Sequence, residues 1–342
     1  MSGDSTEPVW AHWSDKDLLA LRLCDLGLAI PDSPLEPHVR QLGDELKVRG
    51  LRFRPYFWLS DDWYTPDGVP GIALPFYMAH PRLMRLEASE MLEVEGGTPE
   101  WCMRILRHEA GHAIENAYRL RRLRRRIELF GRSSQKYPAS YEPRPYSKSF
   151  VQHLEAWYAQ SHPDEDFAET FAVWLTPDAE WDKRYAGWPA LKKLQYVDEL
   201  MREIAGRAPV VRSRRRVDPL EKLTKTLREH YEQRRRHYGI EVRRLHEHDL
   251  RRLFSADPAF KSHPAATTFL RRVRRDVRRL VATWTGAYQY TVDQVFEDIV
   301  RRCRELDLRL AVPEAQAKLD FAVLLTVQTM NFLHSGRHRV AL

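Results

Sequence analysis

The sequence contains few cysteines and no long apolar run. Its three cysteines, Cys24, Cys102 and Cys303, lie far apart among 342 residues. This spacing excludes a disulfide scaffold and a zinc ribbon built on cysteine pairs, and it fits a reducing cytosol. No stretch approaches about 18 consecutive apolar residues, which excludes a membrane-spanning helix. The start of the chain is polar and acidic, without the basic and apolar regions of a signal peptide, so the sequence predicts a cytoplasmic protein.

The net charge of +7 is divided unevenly along the chain. Residues 211–342 contain 28 basic and 16 acidic side chains, a net charge of +12, whereas residues 1–210 have a net charge of −5. At the crossover, residues 206–217 combine Gly, Pro and five arginines with little helical pattern, which indicates an exposed linker. The length and the 43% hydrophobic content fit two globular domains rather than a disordered chain. We therefore predict an N-terminal helical segment (1–50), a first domain (51–205), a linker (206–217) and a basic, mainly helical domain (218–342).

Two short segments have the pattern of β-strands. Residues 51–59 begin with alternating apolar and basic side chains, and residues 71–78 form a second apolar run after a turn. Each segment contains a proline, Pro55 or Pro75, which cannot donate a hydrogen bond to a neighbouring strand. These strands are therefore predicted at the edges of a small sheet.

Helices are predicted over most of the remaining chain. Thr98-Pro99-Glu100 is a strong helix start, with a capping threonine and a proline at the first helical position, and the helix should continue to about Arg126. Residues 131–150 show no period and are predicted to form a long loop. Ser161 is the predicted cap of a helix over 165–175. The other predicted helices span 15–28, 35–48, 269–280, 291–307 and 314–333.

His108-Glu109-Ala110-Gly111-His112 is an HExxH sequence within the helix predicted from Thr98. On a helix, residues i and i+4 lie on one face, so both imidazoles can reach one metal ion. Glu109 lies beside that face, where its carboxylate can take a proton from water. The alternative is a helix with two surface or core histidines, because so short a motif also occurs by chance.

The helix predicted over 165–175 carries two glutamates with the same spacing, Glu165 and Glu169. A catalytic zinc site of this class needs a third protein ligand and leaves a fourth position for water. One glutamate can bind the metal while the other accepts a hydrogen bond from a ligand histidine. The alternative is a solvated acidic face. However, Phe167 and Phe171 leave little of this helix at the surface, and acids among such packing need partners.

These motifs resemble those of known zinc peptidases. HExxH followed by a helix with Glu-x-x-x-Glu is similar to the gluzincin metallopeptidases, and the run Glu165-Asp-Phe-Ala-Glu169-Thr-Phe-Ala172 is similar to the zinc-site helix of the anthrax lethal factor group. Residues 157–175 resemble more closely a bacterial family of zinc-binding metallopeptidases. The resemblance covers about residues 50–200 and implies a zincin-like α+β fold for the domain at 51–205. Residues 211–342 show no such resemblance.

The resemblance also implies roles for individual residues. In the lethal factor group the first glutamate of the run binds zinc, which implies Zn²⁺ ligation here by His108, His112 and Glu165. The second glutamate, Glu169, would then lie behind the ligands, although the two glutamates can also exchange roles. A tyrosine seven residues before the ligand glutamate assists catalysis in that group, and Tyr158 has this spacing here.

The predicted reaction is hydrolysis of a peptide bond in a peptide or protein substrate. Zinc lowers the pKa of its water ligand to about 7, and Glu109 takes the proton as the water attacks the carbonyl. A second donor stabilises the oxyanion, and Tyr158 is our first choice over a purely packed tyrosine. Three further candidates for this donor are His153, His162 and Tyr146. As in similar zincins, the strand predicted at 71–78 would bind an extended substrate by strand addition.

Arginine-rich tracts allow other interpretations. Residues 119–126 either recruit an acidic peptide or form a solvated face with Leu120 and Leu123 packed inward. Three tracts nearer the C-terminus could contact the phosphates of a nucleic acid, although acidic residues are interleaved with them. These tracts are 214–216, 234–236 and 271–279. The alternatives to a peptidase are therefore a catalytically inactive zincin-like binding module and a nucleic-acid-binding protein.

Overall fold

The computed structural model describes residues 7–138, 141, 144, 147–238 and 247–334. The chain divides into two compact units, residues 1–90 with 94–233 and residues 91–93 with 234–342. Helices predominate in both units, and the first also contains a small parallel sheet. The predicted α+β fold class with a helical C-terminal region is therefore confirmed. Within the described ranges, no helix is both long enough and apolar enough to cross a membrane.

The helices of the first unit are joined by turns and loops, and the helix predicted over 35–48 is confirmed by α2. Their bounds are α1 (Asp15–Leu18), α2 (Glu36–Val48), α3 (Pro81–Glu90), α4 (Pro99–Tyr118), α5 (Arg124–Phe130), α6 (Pro163–Leu175), α7 (Trp181–Arg184) and α8 (Ala190–Ile204). A further helix, α9 (Leu227–Tyr238), crosses the division between the units at residue 233.

The first helix is shorter than predicted. The sequence predicted one helix over 15–28, but α1 ends at Leu18 and a separate 3₁₀ turn covers Leu23–Asp25. The amide of Leu23 donates a hydrogen bond to the carbonyl of Lys225 at 3.0 Å. This bond replaces one that would continue the helix, so a distant segment overrides the local apolar pattern.

Two parallel strands, β1 (Tyr56–Ser60) and β2 (Gly71–Pro75), form the sheet with their first residues paired. Both are shorter than predicted, because Pro55 directly precedes β1 and another proline ends β2. β2 is buried at every residue, and the amide of Ala73 donates to the carbonyl of Tyr64 at 2.9 Å. The edge that we expected to accept a substrate strand is therefore covered at Ala73 rather than open.

The helix α4 begins where the sequence predicted. The hydroxyl of its cap, Thr98, accepts a hydrogen bond from the amide of Trp101 at 3.2 Å. The helix ends well before Arg126, its predicted end, because Arg119 adopts the left-handed conformation with a φ of 55°. A short turn then leads into α5.

The helix α6 is confirmed, but its cap is not Ser161. The preceding backbone of His162 is extended, and its Nδ1 accepts a hydrogen bond from the amide of Asp164 at 3.2 Å. Because a proline occupies the first helical position, the residue before it has the extended conformation of a cap. Ser161 instead donates to the carbonyl of Tyr158 at 2.8 Å.

The helices α4 and α6 approach each other closely at Gly111. A Cβ atom at this position would lie 2.7 Å from the Cα of Ala168 and 3.1 Å from its carbonyl oxygen. Only glycine permits so short a distance between two helix backbones. The contact brings the histidine-bearing face of α4 against the first turns of α6.

Residues 206–217 contain neither helix nor strand. The amides of Val210 and Val211 both donate to the carbonyl of Ala117 at 2.9 Å. The indole of Trp58 donates to the carbonyl of Val217, also at 2.9 Å. The basic segment that we predicted as an exposed linker therefore runs along the first unit, and the compact units divide only after residue 233.

The long helices of the second unit lie where the sequence predicted them. After α10 (Glu247–Leu250) come α11 (Ala266–Thr285), α12 (Gln289–Glu305) and α13 (Glu314–His334). The short strands β3 (Phe254–Ser255) and β4 (Arg309–Leu310) pair antiparallel. The helices enclose an apolar core whose fully buried aromatic side chains are Phe254, Phe269, Phe296 and Phe321.

Candidate metal centre

Three side chains from α4 and α6 converge in the interior of the first unit. His108 and His112 project from one face of α4, and Glu165 lies in the first turn of α6. Glu165 Oε2 is 3.0 Å from His108 Nε2 and 3.1 Å from His112 Nε2, and the two nitrogens are 3.2 Å apart. All three side chains are buried. Their converging atoms form a group that could hold a metal ion.

Glu169 contacts the opposite side of the His108 ring. Its Oε1 is 2.8 Å from His108 Nδ1, and its Oε2 accepts a hydrogen bond from the amide of Leu154 at 2.8 Å. A carboxylate can only accept here, which assigns a proton to Nδ1. The lone pair of a neutral His108 is then on Nε2, directed toward Glu165, as a metal ligand requires.

The buried carboxylates control the ionisation of the two histidines. Burial by itself lowers the pKa of His108, but hydrogen bonds to Glu165 and Glu169 raise it to about 10. Burial also disfavours the charged form of His112, but the charge of Glu165 raises the pKa of His112. Burial disfavours ionised Glu165, but the two histidines hold the pKa of that carboxyl well below its usual range. The group therefore favours positive charge at its centre.

Glu109 is buried beside these residues. The hydroxyl of Thr65 donates to its backbone carbonyl at 3.2 Å. Among the described residues, its side-chain Oε2 has no hydrogen-bond partner. A carboxylate oxygen buried without a donor is costly, because it has lost its hydration. This atom therefore suits a bound water or substrate group.

Tyr158 lies beside the ring of His108, with the two ring centroids 5.5 Å apart. Burial, followed by the charges of Glu165 and Glu109, raises the pKa of its hydroxyl well above the ordinary value. The hydroxyl therefore keeps its proton and can donate a hydrogen bond. The preceding residue, Trp157, has a φ of 53°, which is uncommon for a bulky side chain.

The other candidate donors have different surroundings. His153 Nε2 is 2.9 Å from the carbonyl of Arg104, and burial lowers the pKa of His153 to about 4. His162 caps α6 through Nδ1, as described above. Both histidines are thus engaged by backbone groups. Tyr146 lies outside the described residues.

Sequence reasoning missed Tyr137. Its hydroxyl donates a hydrogen bond to Glu165 Oε1 at 2.8 Å, and its ring stacks on His162 with centroids 3.7 Å apart. Burial and the charge of Glu165 raise the pKa of this hydroxyl, so it remains the donor. Tyr137 lies at the start of the predicted loop over 131–150, where no period or motif distinguishes it from other polar residues.

A buried ion network fixes the backbone next to Glu165. The fully buried Arg126 donates to Glu115 Oε1 at 2.8 Å, to Asp164 Oδ1 at 2.6 Å and to the carbonyl of Gly131 at 2.7 Å. Asp164 directly precedes Glu165. The network therefore holds the first turn of α6 against α4.

Much of the arginine tract at 119–126 is paired within the first unit. Leu120 is buried, as the solvated-face interpretation predicted, but Leu123 is 40% exposed. Recruitment of an acidic peptide by this tract stays a prediction. Besides Arg126, the ion pairs are Arg121 with Asp67, Glu115 and Asp164, Arg124 with Glu128, and Arg125 with Glu199.

The donor set suits zinc. Two histidines and one glutamate form a known ligand set of catalytic zinc sites, which keep a fourth position for water or substrate. Tetrahedral bonds of about 2.0–2.2 Å place ligand atoms about 3.4 Å apart. The spacings of 3.0–3.2 Å among the three converging atoms are close to that value. Two imidazole nitrogens and a carboxylate oxygen, directed at one point, therefore fit this ion.

One comparison with known proteins gives a match. A protein-family model described as "Putative zinc-binding metallo-peptidase" matches residues 103–186. This span contains the HExxH sequence, Tyr137, Tyr158 and both glutamates of α6. The searches of curated proteins and of solved structures find no match. The chain is thus similar to a zinc-binding peptidase family over the segment that carries its candidate metal ligands.

Proposed function

We propose that this protein is a zinc-dependent metallopeptidase with His108, His112 and Glu165 as ligands. One observation carries the proposal. Three donor atoms converge at 3.0–3.2 Å beside Glu109, whose Oε2 has no hydrogen-bond donor among the described residues. A cation would satisfy the converging atoms, and a water molecule beside it would supply the donor that Glu109 lacks. The family match over 103–186 supports the same chemistry.

Glu165 rather than Glu169 is the proposed carboxylate ligand. Glu165 Oε2 faces the Nε2 atoms of both histidines. Both oxygens of Glu169 already accept hydrogen bonds, from His108 Nδ1 and from a backbone amide. Exchanging the two roles would break these buried hydrogen bonds, which is costly.

The metal ion and the side chains around it have separate roles in the proposed reaction. Bound zinc supplies a Lewis acid that makes water acidic near neutral pH and polarises a peptide carbonyl. Glu109 accepts a proton from the attacking water and delivers it to the leaving nitrogen. Tyr158 keeps its proton and donates a hydrogen bond to the developing oxyanion. Glu169 orients His108 so that Nε2 faces the ion.

Elemental analysis of the purified chain tests the metal. We expect about one zinc per chain in the wild type and in Glu109→Gln, because Glu109 is not a ligand. His112→Ala should lose the metal. His12→Ala is the matched control, because the side chain of His12 is exposed and lies outside the centre. Zinc-free wild-type protein would overturn the proposal, and salt-sensitive binding of DNA or RNA by that protein would favour the nucleic-acid alternative.

Profiling of peptide termini tests hydrolysis without a known substrate. Cell extracts are treated with the wild type or with Glu109→Gln, and newly formed N- and C-termini are compared. We expect new termini only with the wild type, although both proteins retain zinc. The same termini with Glu109→Gln would contradict its role as the base. Zinc-loaded wild type that forms no new termini would favour the inactive binding module.

A further inference from the structure

Tyr137 contacts the oxygen of Glu165 that faces away from the histidines. The two oxygens of this carboxylate have separate partners: Oε2 lies 3.0 and 3.1 Å from the two Nε2 atoms, and Oε1 accepts the Tyr137 hydroxyl at 2.8 Å. A carboxylate without such a partner can rotate and present both oxygens to an ion. Here one hydrogen bond occupies the oxygen that such a rotation would use.

The ring of Tyr137 is itself held in place. It stacks on His162 at a centroid distance of 3.7 Å and an interplanar angle of 15°. His162 Nδ1 accepts from the amide of Asp164, and its Nε2 donates to the carbonyl of Gln135 at 3.0 Å. The stacking partner is thus bonded at both nitrogens to the backbone. It also caps the helix that carries Glu165.

We propose that Tyr137 is a positioning residue that holds Glu165 as a one-oxygen zinc ligand. The inference rests on the proposed function, since it concerns the same site. Hydrogen bonds from outside the ligand shell fix a ligand's orientation, and removing one typically weakens metal binding by about 10–100-fold. Tyr137 does for Glu165 what Glu169 does for His108. Two of the three ligands are therefore oriented by a hydrogen bond on the side away from the ion, which is buried for His108 and part-buried for Glu165.

Zinc titration of the full chain against a competing chelator tests this role. Tyr137→Phe keeps the stacked ring and removes only the hydroxyl, so we expect the zinc dissociation constant to rise by about 10–100-fold. Tyr196→Phe is the matched control. Its hydroxyl is buried with no hydrogen-bond partner among the described residues, and we expect an unchanged dissociation constant. A merely structural Tyr137 would change the unfolding midpoint of the metal-free protein and leave zinc affinity unaltered.

Cobalt substitution gives a second readout. Co²⁺ bound to the wild type should show the intense visible absorption of a four-coordinate ion, because geometry determines these bands. In Tyr137→Phe the freed Oε1 can join the ion, so we expect weaker absorption per bound cobalt. Equal zinc affinity in wild type and Tyr137→Phe, or equal losses in Tyr137→Phe and Tyr196→Phe, would overturn the inference. Wild type that binds no zinc would instead overturn the proposed function, so the two failures are distinguishable.

Discussion

The two units of the chain bury ionisable side chains to different extents. In the first unit, α4 and α6 bury ionisable side chains against one another, among them His108, Glu115, Asp164 and Glu169. In the second, the buried side of α11 is apolar and most of its arginines are exposed, whereas Arg274 and Arg278 pair with the buried Asp293 of α12. Burying a charge is costly unless it is paired, whereas an exposed charge costs little. The first unit therefore has many buried charges that must have partners, whereas most of the charges on α11 are exposed and need none.

This difference explains why net charge was a poor guide to function. Residues 211–342 have a net charge of +12. Their basic side chains lie largely at the surface, and many of them pair there with acids. Residues 1–210 have a net charge of −5. Their acidic side chains include carboxylates that face histidines and Arg126 in the interior. What distinguishes the candidate site is where its charges lie and which groups face them.

The largest effect should come from replacing a buried arginine of the first unit, with the same replacement of an exposed arginine in the second unit as its control. Arg126→Met removes the fully buried partner of Glu115 and Asp164 and leaves Arg121, at 3.3 and 3.4 Å, as their remaining cation, so we expect a loss of about 3–5 kcal/mol in the free energy of unfolding. Arg272→Met removes the exposed pair of Arg272 with Glu314 and should cost less than about 1 kcal/mol.

Urea unfolding followed by tryptophan fluorescence measures the stability of Arg126→Met, because nine of the ten tryptophans precede residue 233 and only Trp284 follows it. Hydrogen exchange of α11 peptides measures the stability of Arg272→Met. Similar losses for both substitutions would contradict the contrast between the units.

An apolar core substitution should give the next largest effect and separate the two units. Leu270 is fully buried in the core of the second unit. Leu270→Ala should destabilise that unit by about 2–5 kcal/mol through lost burial and a cavity. Zinc content should stay at the wild-type value, because all the proposed ligands belong to the first unit. Exchange of α12 peptides and elemental analysis measure the two outcomes. A loss of zinc in this variant would show that the second unit supports the site.

Much of the site could be predicted because its residues stand at helical spacing. His108, His112, Glu165 and Glu169 are two i,i+4 pairs, and a regular helix places such pairs on one face whatever surrounds it. The helices themselves begin at threonine or proline signals that act locally. The long helices α11 to α13 were predictable for a related reason, since their apolar positions recur with the helical period.

Features that depend on contacts between distant segments could not be predicted. Tyr137 reaches Glu165 from a loop without any period, and only the folded chain brings its hydroxyl there. The predicted helix over 15–28 was interrupted because Leu23 bonds to the backbone of Lys225. The covered edge of β2 has the same origin. Local patterns do not record which distant backbone will compete for a hydrogen bond.

A smaller effect should follow from widening the contact between α4 and α6. Gly111→Ala places a methyl group 2.7 Å from the Cα of Ala168, a backbone atom that cannot yield easily, so we expect a loss of about 1–3 kcal/mol. Zinc affinity should fall as well, because the histidines move away from Glu165.

Gly43→Ala is the control in α2. Its added Cβ would meet only the end of the Arg54 side chain, at 3.2 Å, and better helix propensity should stabilise the chain by up to about 1 kcal/mol. Urea unfolding and zinc titration compare the two variants. Equal behaviour of both would argue against a special close approach at Gly111.

The smallest change to the chain is a chemical label on its cysteine thiols, which reports whether the two units unfold separately. Burial raises the pKa of Cys102 in α4 and of Cys303 in α12 to about 12, so both thiols stay protonated and unreactive at pH 8. Iodoacetamide should therefore alkylate only the half-buried Cys24 in native protein.

In increasing urea, we expect Cys102 and Cys303 to become reactive at different concentrations, because they lie in cores that belong to different units. Zinc should shift the transition of Cys102 upward and leave that of Cys303 unchanged, since a ligand stabilises only the unit that binds it. Coincident transitions that both respond to zinc would mean that the chain unfolds as one cooperative structure, and the charge contrast would then describe two regions of a single domain.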